Sequence, residues 1–409
     1  MNVLYLTISK ITIPNGSGIY NDLLNKFVVE GHRVFVASAL ERKEQKRTYI
    51  EQFQGGWHLH ILTPNIFQTG SVEKGIAYLS LEFLFKRAIK KYWREEHFDL
   101  ILYATPPPTL GGLIGWAKEY YGARSYLMLK DVFPQNAVDL GMMVTSSRLY
   151  KFFKKKEKQT YMASDAIGCM SPANVDYLLQ HNSYLNPDRV EVCPNAIDLS
   201  KENTFLQETV MDRQTIRNLY AIPGDALVFV YGGNLGKPQG IPFLLEVLSH
   251  NIDRTDCFFV IVGKGTEYPL IEQFVQQKGD KNVLLIDYLP QQEYNTLLSA
   301  CDVGLIFLDY RFTIPNFPSR LLGYLQSKMP ILIASDTVTD MGQIAQENGF
   351  GRWAPSYSTD SFTEQINFFL SHRGQIPQMG EMGYRYMQEN YSVEVAYNRI
   401  VSKIDRKDV

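Results

Sequence analysis

Cysteines, long apolar runs and targeting signals are scarce in this 409-residue chain. Its four cysteines lie far apart in apolar surroundings, without the spacing of a disulfide framework or a zinc motif, so we expect buried thiols in a reducing cytosol. No apolar run approaches the roughly 18 residues of a membrane-spanning helix, and the N-terminus lacks the charged and cleavage regions of a signal peptide. We therefore expect the chain in the cytoplasm or peripherally on the inner face of the cell membrane.

An excess of charge of either sign is also missing. The formal net charge of -2 gives no bulk affinity for nucleic acid or anionic lipid, so we expect no nucleic-acid partner, and any attraction to lipid needs a local patch. Low-complexity segments are absent, and the hydrophobic (45%) and charged (21%) fractions are those of globular proteins. A chain of this length exceeds one ordinary core, so two domains of about 200 residues are predicted.

The most informative stretch is residues 226–247, where an apolar run, a glycine-rich turn and a helical pattern follow one another. The run predicts a buried strand, and the glycines allow a tight turn before the helix. Amides in the first turn of a helix lack intrahelical partners and lie at the positive end of the helix dipole, so a phosphate could bind there, beside Lys237. An ordinary strand-to-helix turn explains this stretch equally well.

The N-terminus repeats the pattern. Residues 2–8 form an apolar run, a loop with Gly16, Ser17 and Gly18 follows, and a helical pattern and a second strand complete a βαβ unit. Further strand-like runs alternate with helical patterns and predict doubly wound parallel sheets on both sides of a linker at residues 195–225. These runs are residues 33–38, 57–62, 99–103, 124–129, 166–169, 190–193, 227–231, 257–262, 283–286, 303–308 and 331–334.

Ligands of such sheets bind beyond the carboxyl ends of the strands, which directs attention to the loop at residues 130–136. Lys130, Asp131 and Asn136 place a cation, a carboxylate and an amide directly after a strand, and this combination could orient a hydroxylated substrate. Asp131 could also be no more than a helix cap.

A second loop of this kind is residues 316–320. Ser319 is predicted to cap the helix that follows, and Arg320 offers a planar fork suited to a phosphate or to sugar hydroxyls. Gly323 lies inside that helix, where glycine costs about 1 kcal/mol relative to alanine, so we expect a close approach that requires it.

Residues 148–158, RLYKFFKKKEK, predict a basic, aromatic helix. Each lysine held near an anionic membrane surface contributes about 1 kcal/mol, so this patch could hold the protein on a cytoplasmic leaflet. A solvated helix with its aromatic side chains in the core is the alternative. A second mixed stretch, residues 83–93, supports the membrane interpretation.

Six segments, in this order and spacing, resemble the motifs of glycosyltransferase family 4, a family with the GT-B fold. They are TPPPTLGGL (105–113), KDVFPQNAVDLGM (130–142), YGGNLGKPQG (231–240), VIVGKG (260–265), IDYLP (286–290) and FPSRLLGYLQSKMPIL (317–332). The first two resemble the amino-terminal half of bacterial polysaccharide, capsule and O-antigen transferases. The resemblance implies two Rossmann-like domains facing across a cleft: an acceptor-binding domain at 1–200, a nucleotide-sugar-binding domain at 201–383, and a helical segment at 384–409 that packs back toward the first domain.

The resemblance also implies roles for individual residues. Lys237 and Arg320, with the amides of Gly16, Gly236 and Ser319, would stabilise the leaving diphosphate, and Asp131 would orient the acceptor hydroxyl. Lys130 and Asn136 would bind the acceptor. The implied donor contacts are Gly16, Ser17, Gly18, Asn234, Gly236, Gly263, Tyr288, Leu289, Phe317, Pro318 and Ser319.

Three positions depart from the family pattern. The family commonly has arginine and lysine where this chain has Asn234 and Gln239, and a glutamate where it has Gly323. Lys237 is then the cation that remains on that loop. The departures bear on how the nucleotide and its ribose are held.

The function implied by the resemblance is transfer of a sugar, with retention of anomeric configuration, from a nucleotide-diphosphate donor such as a UDP-sugar. The implied acceptor is a glycan on polyprenyl diphosphate in cell-surface polysaccharide biosynthesis, and neither a metal nor another cofactor is expected. A nucleotide-sugar 2-epimerase and a non-catalytic partner subunit of a transferase complex are the alternatives. An epimerase would need carboxylates and a histidine around the sugar carbon. Four histidines stand in no convincing strand-end site: His32, His58, His60 and His97.

Overall fold

The computed structural model describes residues 1–13, 16–201, 211–279 and 281–405. The chain divides into two compact units, residues 1–198 with 392–409 (unit 1) and residues 199–391 (unit 2). It leaves unit 1 after Asp198 and returns to it at Ser392, whereas the sequence analysis placed the divisions at residues 200 and 383. Residues 202–210 of the predicted linker lie outside the described residues.

Unit 1 is built on an eight-stranded sheet in the order β3-β4-β2-β1-β5-β6-β7-β8. Its strands are β1 (Asn2–Thr7), β2 (Arg33–Glu41), β3 (Tyr49–Phe53), β4 (Gly56–Thr63), β5 (Leu100–Ala104), β6 (Arg124–Leu129), β7 (Ala166–Cys169) and β8 (Val190–Val192). Its helices are α1 (Ile19–Val29), α2 (Ser71–Tyr92), α3 (Gly111–Tyr121), α4 (Gln135–Asp139), α5 (Arg148–Ala163), α6 (Pro172–His181) and α15 (Val393–Asp405).

The strands predicted in unit 1 are confirmed, and β3 is an addition to them. Near-continuous apolar runs form the central strands because both faces of a parallel sheet are covered by helices. Strand β3 is the exception, since it lies at the sheet edge and pairs antiparallel with β4. None of its five side chains is fully buried, so its sequence carries little apolar signal.

The last helix, α15, completes the core of unit 1. Its Ile400 is fully buried in the same cluster as Leu24 and Phe27 of α1. The ring of Tyr397 meets that of Phe27 edge to face, with centroids 5.0 Å apart. Truncating a buried isoleucine of this kind to alanine costs about 2–5 kcal/mol, so α15 is an integral part of the unit.

Unit 2 is built on a six-stranded sheet in the order β11-β10-β9-β12-β13-β14, with all neighbours parallel. Its strands are β9 (Leu227–Gly232), β10 (Cys257–Val262), β11 (Val283–Ile286), β12 (Val303–Phe307), β13 (Ile331–Ser335) and β14 (Gly351–Pro355). Its helices are α7 (Arg213–Leu219), α8 (Ile241–Asn251), α9 (Tyr268–Lys278), α10 (Gln291–Leu298), α11 (Arg320–Gln326), α12 (Met341–Glu347), α13 (Thr359–Ser371) and α14 (Ile376–Asn390). Strand β14, bounded by glycine and proline, was not predicted.

Each sheet has a point where the order of its strands reverses. In unit 1 this point lies between β1 and β5, and in unit 2 it lies between β9 and β12. Crevices beyond the carboxyl ends of the strands at such points are where doubly wound sheets bind ligands. The loops after these four strands therefore define where a site is sought in each unit.

Helix α2 has 22 residues and is the longest helix among the described residues. Its outer face carries an apolar stripe of Val72, Ile76, Leu79 and Phe83, each more than half exposed. No helix in the described part of the chain is long and apolar enough to cross a membrane.

Candidate functional site

The glycine-rich loop after β9 packs backbone to backbone against the loop after β10. The Leu235 N–H donates a hydrogen bond to the carbonyl of Lys264 at 2.8 Å. A Cβ at Gly263 would lie 1.8 Å from the carbonyl oxygen of Gly233, and a Cβ at Gly265 would lie 2.0 Å from that of Leu235. Side chains are thus excluded at both glycines of the second loop, and this contact holds the first loop in one shape.

The buried Tyr324 and the half-buried Tyr294 enclose Gly232 at the end of β9. The Tyr324 hydroxyl accepts a hydrogen bond from the Gly232 N–H at 3.0 Å and donates one to the Val230 carbonyl at 3.1 Å. A Cβ at Gly232 would lie 2.0 Å from the Tyr294 hydroxyl. Burial raises the pKa of Tyr324 to about 12 and also raises that of Tyr294, so both phenols stay protonated. The sequence analysis missed both residues, because a single tyrosine in an apolar helix has no motif.

Arg320 is the first residue of α11 and lies over the ring of Tyr231, with 4.3 Å between Cζ and the ring centroid. The guanidinium also borders Gly233, where a Cβ would lie 3.3 Å from it. Its Nη1 is buried and has no hydrogen-bond partner among the residues that the structure describes. A buried donor without a partner is unfavourable by about 1–3 kcal/mol, so this guanidinium is suited to receive an anionic oxygen.

Lys237 begins a short 3-10 turn, Lys237–Gln239, with its side chain exposed to solvent. Glu267, in the loop after β10, has a buried Oε2 without a hydrogen-bond partner in the described part of the chain. Burial raises the pKa of Glu267, and the charge of Lys237 opposes that rise. The lysine is therefore close enough to sense this carboxylate and remains accessible to a ligand. Sequence reasoning missed Glu267.

Asn234 and Gln239, which replace the cations of the family pattern, close the loop on itself. The side-chain oxygen of Gln239 accepts hydrogen bonds from Asn234 Nδ2 at 3.1 Å and from the Gly236 N–H at 3.2 Å. The Gly236 N–H is therefore engaged by a side chain of the same loop, and its role as a donor contact stays a prediction.

Residues 317–319 directly precede Arg320 in the sequence and lead into α11. Ser319 is at the N-cap position, but its side chain makes no capping hydrogen bond, so the prediction of a serine cap is wrong. The Pro318 carbonyl accepts a hydrogen bond from the first turn of the helix, and the ring of Phe317 lies 6.1 Å from that of Tyr391. As donor contacts, all three remain predictions.

The loop after β11 carries the predicted contacts Tyr288 and Leu289. Tyr288 is 61% exposed, and Lys264 Nζ lies 5.1 Å from its ring centroid. The same lysine lies 3.4 Å from the Asp287 carboxylate. Leu289 is half-buried. An exposed ring next to the glycine loop is available for stacking with a planar ligand.

In unit 1, the loop after β1 leads into α1 through glycines that the geometry requires. Gly18 has φ of 105°, in the left-handed region that favours glycine, and a Cβ at Gly16 would lie 2.2 Å from the Thr12 carbonyl. The Gly16 N–H donates a hydrogen bond to that carbonyl at 2.6 Å, and the role of Gly16 as a donor contact stays a prediction. Ser17 is exposed, and its carbonyl accepts a hydrogen bond from Asn21.

The loop after β6 joins Lys130 and Asp131 to Thr105, at the end of β5. The Thr105 hydroxyl accepts hydrogen bonds from the backbone N–H of Lys130 at 3.1 Å and of Asp131 at 3.2 Å. Asp131 accepts a further bond from Asn136 Nδ2 at 2.7 Å, and Lys130 Nζ lies 3.4 Å from the Cys193 carbonyl. Asp131 is thus tied to its loop partner Asn136 and does not serve as the cap of α4, which begins at residue 135 after Pro134.

Desolvation shifts both charged groups toward their neutral forms. It raises the pKa of Asp131 to about 6 and lowers that of Lys130 to about 8. The two side chains line different pockets. Asp131 lines one with Thr105 and Phe133, and Lys130 lines another with Asn195.

The basic helix predicted at residues 148–158 is confirmed as the first part of α5. Two of its lysines are already paired: Lys154 with the buried Glu157, and Lys156 with Glu82 at 3.1 Å. Lys151 and Lys155 are exposed. Fewer cations face solvent than the sequence suggests, because part of the charge holds α5 in place.

The expectation that a close approach requires Gly323 is wrong. A Cβ at this position meets nothing within 4 Å, and its φ is not in the left-handed region. Space therefore exists for a side chain where the family pattern has a glutamate, and packing does not explain the glycine.

Comparisons with known proteins give matches in both halves of the chain. A family model described as Glycosyltransferase Family 4 matches residues 16–201, and one described as Glycosyl transferases group 1 matches residues 212–386. This chain belongs to glycosyltransferase family 4. Its two Rossmann-like units have the GT-B type of fold, and it is a transferase, as predicted from the six motifs.

Individual relatives cover large parts of this glycosyltransferase at low identity. Glycosyltransferase WbjE of Pseudomonas aeruginosa is 22% identical over 335 residues, which are 81% of this chain and 80% of the relative. The Escherichia coli K12 glycosyl transferase WcaI, named for colanic acid biosynthesis, is 27% identical over 156 residues, 37% of each chain. A solved E. coli structure described as trehalose-6-phosphate with bound UDP-2-fluoro glucose superposes with a TM-score of 0.76 at 10% identity and 100% coverage of both chains.

Proposed function

We propose that this transferase moves a sugar, with retention of anomeric configuration, from a UDP-sugar to a polyprenyl-diphosphate-linked glycan in cell-surface polysaccharide biosynthesis. Unit 2 binds the donor and unit 1 binds the acceptor. The name of WcaI supports the class of pathway, and the UDP-2-fluoro glucose bound in the E. coli structure supports the nucleotide.

The Arg320 guanidinium is the observation that carries the donor assignment. It is held by the ring of Tyr231 at 4.3 Å, borders the glycine loop at Gly233, and keeps a buried N–H without a partner in the described residues. Its planar fork matches two phosphate oxygens, and its position is fixed before a ligand arrives. Lys237 adds a second cation on the same loop, where its exposed side chain can close onto the diphosphate.

The chemistry of transfer explains why these cations matter. As the bond between the anomeric carbon and the diphosphate oxygen breaks, positive charge develops on the sugar ring and negative charge on the leaving group. Cations placed beforehand at the diphosphate stabilise that transition state without reorganisation. The acceptor oxygen then bonds to the anomeric carbon on the face that the leaving group vacates, and the departing diphosphate takes the acceptor proton.

The acceptor hydroxyl is positioned by Asp131. At pH 7 the pKa of about 6 leaves most of this carboxylate ionised, and Asn136 holds one of its oxygens. The carboxylate can accept a hydrogen bond from a hydroxyl group, and the backbone clamp of Thr105 fixes its direction. Lys130, in the adjoining pocket, contributes a positive charge for an acceptor that carries phosphate.

We propose that the enzyme acts at an anionic membrane surface, because the proposed acceptor is anchored in lipid. The α2 stripe of Val72, Ile76, Leu79 and Phe83 is 55–78% exposed at helical spacing, which suits a helix lying in the headgroup region. Exposed Arg87 continues the same face one turn beyond Phe83 and can meet anionic headgroups.

A transfer assay tests the proposed function. Purified protein is incubated with UDP-sugars and a polyprenyl-diphosphate-linked acceptor, with and without EDTA, and products are identified by mass spectrometry and by the anomeric proton signal. We expect a lengthened acceptor with the donor's anomeric configuration, formed equally well in EDTA. Release of an epimerised sugar without acceptor would favour the epimerase alternative, and no turnover with any donor would favour a partner subunit.

Vesicle binding tests the lipid surface separately. Leu79→Ser combined with Phe83→Ser should abolish co-sedimentation with vesicles of phosphatidylglycerol and phosphatidylcholine. Val29→Ser combined with Leu219→Ser removes two equally exposed apolar side chains that lie outside the stripe, and it should bind like the wild type. Equal binding by both double variants would remove α2 from the proposal.

A further inference from the structure

A cluster of metal-ligating side chains lies on the β3–β4 hairpin, outside the strand-end loops described above. Glu51 of β3 and His58 and His60 of β4 each offer one ligand atom, and these atoms lie within 4.8 Å of one another. We propose that these three residues form a binding site for a divalent transition metal, with Zn²⁺ as the preferred ion.

Strand geometry brings the three side chains together. In the antiparallel pair, Glu51 stands opposite His58, and Tyr49 stands opposite His60. Side chains two residues apart share one face of a strand, so both histidines point to the face on which Glu51 lies. The register of a tight hairpin fixes this arrangement, which therefore does not depend on a loop conformation.

The distances fit a metal after small movements. His60 Nε2 lies 2.8 Å and His58 Nδ1 lies 3.9 Å from the same oxygen of Glu51. Tetrahedral zinc, with bonds of about 2.0–2.1 Å, separates its ligand atoms by about 3.3 Å, which falls between these two distances. The Glu51 side chain is 55% exposed and free to rotate into place. Three protein ligands leave the fourth position for water.

The ring of His58 is held in one orientation. Its side chain is only 5% exposed, so the surrounding core restricts its movement. Ser38 Oγ lies 2.8 Å from His58 Nε2, which leaves Nδ1 facing the other two ligands. A hydrogen bond to the far ring nitrogen is how proteins orient metal-binding imidazoles.

His60 is oriented by stacking and reaches solvent. The ring of Tyr49 lies parallel to it at 4.3 Å. The centroids of the His58 and His60 rings are 3.7 Å apart, so one divalent cation can contact a nitrogen of each ring. The 15% exposure of the His60 side chain gives an ion a way in.

A simple ion pair accounts for only part of the cluster. His97 and Asp99 form such a pair at 3.2 Å, with both side chains exposed and without a third ligand in the cluster search of the described residues. In the hairpin, by contrast, a second histidine, the buried His58, lies 3.9 Å from the same carboxylate oxygen. A metal bound there would tie the edge strand β3 to β4 and raise the stability of unit 1.

Zinc titration of the full-length, chelator-treated protein tests the proposal. Zn²⁺ alone is added in competition with a chromophoric chelator, and the thermal midpoint is recorded with and without the ion. We expect about one equivalent to bind and the midpoint to rise in proportion to the logarithm of the Zn²⁺ concentration above Kd.

His60→Gln and Glu51→Gln remove solvent-accessible ligands without opening the core, and His97→Gln is the matched control. The first two should bind Zn²⁺ more than about tenfold more weakly and lose the rise in thermal midpoint, while the control keeps both. The proposal would be overturned if the wild-type protein did not bind Zn²⁺. It would also be overturned if His60→Gln bound Zn²⁺ as tightly as the wild type and showed the same rise in thermal midpoint.

Discussion

The polar strand-end sites of the two units are built in opposite ways. In unit 1, Lys130 and Asp131 are bonded into their own loop and to Thr105, and desolvation moves both pKa values toward the neutral forms. In unit 2, Lys237 is exposed, and Arg320 has a buried guanidinium N–H without a partner in the described part of the chain.

The difference indicates which ligand each site suits. Lys130 and Asp131 have pKa values shifted toward their neutral forms, and their hydrogen bonds within the protein are already formed. Such groups are suited to orient a neutral hydroxyl group, which brings no charge that they must neutralise. An exposed ammonium, and a guanidinium with one N–H that lacks a hydrogen-bond partner among the described residues, are instead suited to a diphosphate, which supplies acceptors. The proposed donor and acceptor roles rest on this contrast in electrostatics, which substitutions in each unit can test.

Removal of the Arg320 guanidinium should lower transferase activity more than any other substitution considered. We expect Arg320→Ala to lower kcat/KM by about 10²–10³-fold, since a donor aimed at developing charge is lost from a desolvated site. Arg352→Ala is the control, because Arg352 lies over Phe368 at the same 4.3 Å distance in the same unit. Steady-state kinetics would contradict the assignment if the two variants lost the same activity.

The second-largest loss of activity is expected when the carboxylate of Asp131, in the proposed acceptor site, is removed. Asp131→Asn should lower kcat by about 10²-fold while leaving UDP affinity unchanged. Because the pKa of Asp131 is raised to about 6, wild-type turnover should fall as the pH drops through that value, and the variant should lack this limb. A pH profile shared by the two proteins would exclude Asp131 as the titrating group.

The same substitution should stabilise the fold. The pKa of Asp131 is higher in the folded protein than in the unfolded chain, so its protonated carboxyl group adds to the free energy of unfolding. This contribution is complete below about pH 4 and is lost as the pH rises through about 6. Asp131→Asn should therefore raise Tm by a few degrees above pH 6, at about 2–4 °C per kcal/mol, and leave it unchanged near pH 4. Calorimetry at both pH values measures the difference.

A smaller loss is expected from Lys237→Ala, because its ammonium is exposed and screened by solvent. We predict a decrease in kcat/KM of about tenfold, the value of one charge-assisted hydrogen bond. Lys281→Ala, which breaks an exposed ion pair with Asp253 at 2.6 Å, should leave activity unaffected. A loss equal to that of Arg320→Ala would show that the two cations act as one unit.

The smallest effect is expected at Gly323. Gly323→Ala places a methyl group in open space within α11 and should stabilise the protein by up to about 1 kcal/mol without changing turnover. Denaturant unfolding and the transfer assay together test this. A strong loss of activity would mean that a ligand occupies the space beside the glycine.

Most of the architecture followed from the sequence, because strands buried on both faces carry long apolar runs. Two strands were not predicted, and each has a physical reason. Strand β3 is half-exposed at an edge, and β14 is bounded by glycine and proline, so neither produces that signal. The order of strands at the sheet centres comes from packing and could be inferred only through the fold class.

The site was predictable in its charged residues and not in the contacts that position them. Lys237, Arg320 and Asp131 stand out in their loops, whereas Thr105 and Tyr324 act through bonds to backbone atoms of residues far away in sequence. The sequence also could not show that Gln239 engages the Gly236 amide, since that bond depends on the folded loop.

The most direct test of the central claim is calorimetric titration of UDP into the wild type, Arg320→Ala and Arg352→Ala. The buried Arg320 N–H, which has no hydrogen-bond partner among the described residues, predicts tight binding by the wild type and by Arg352→Ala. For Arg320→Ala it predicts binding weaker by at least about tenfold. Equal affinity of all three proteins for UDP would contradict it.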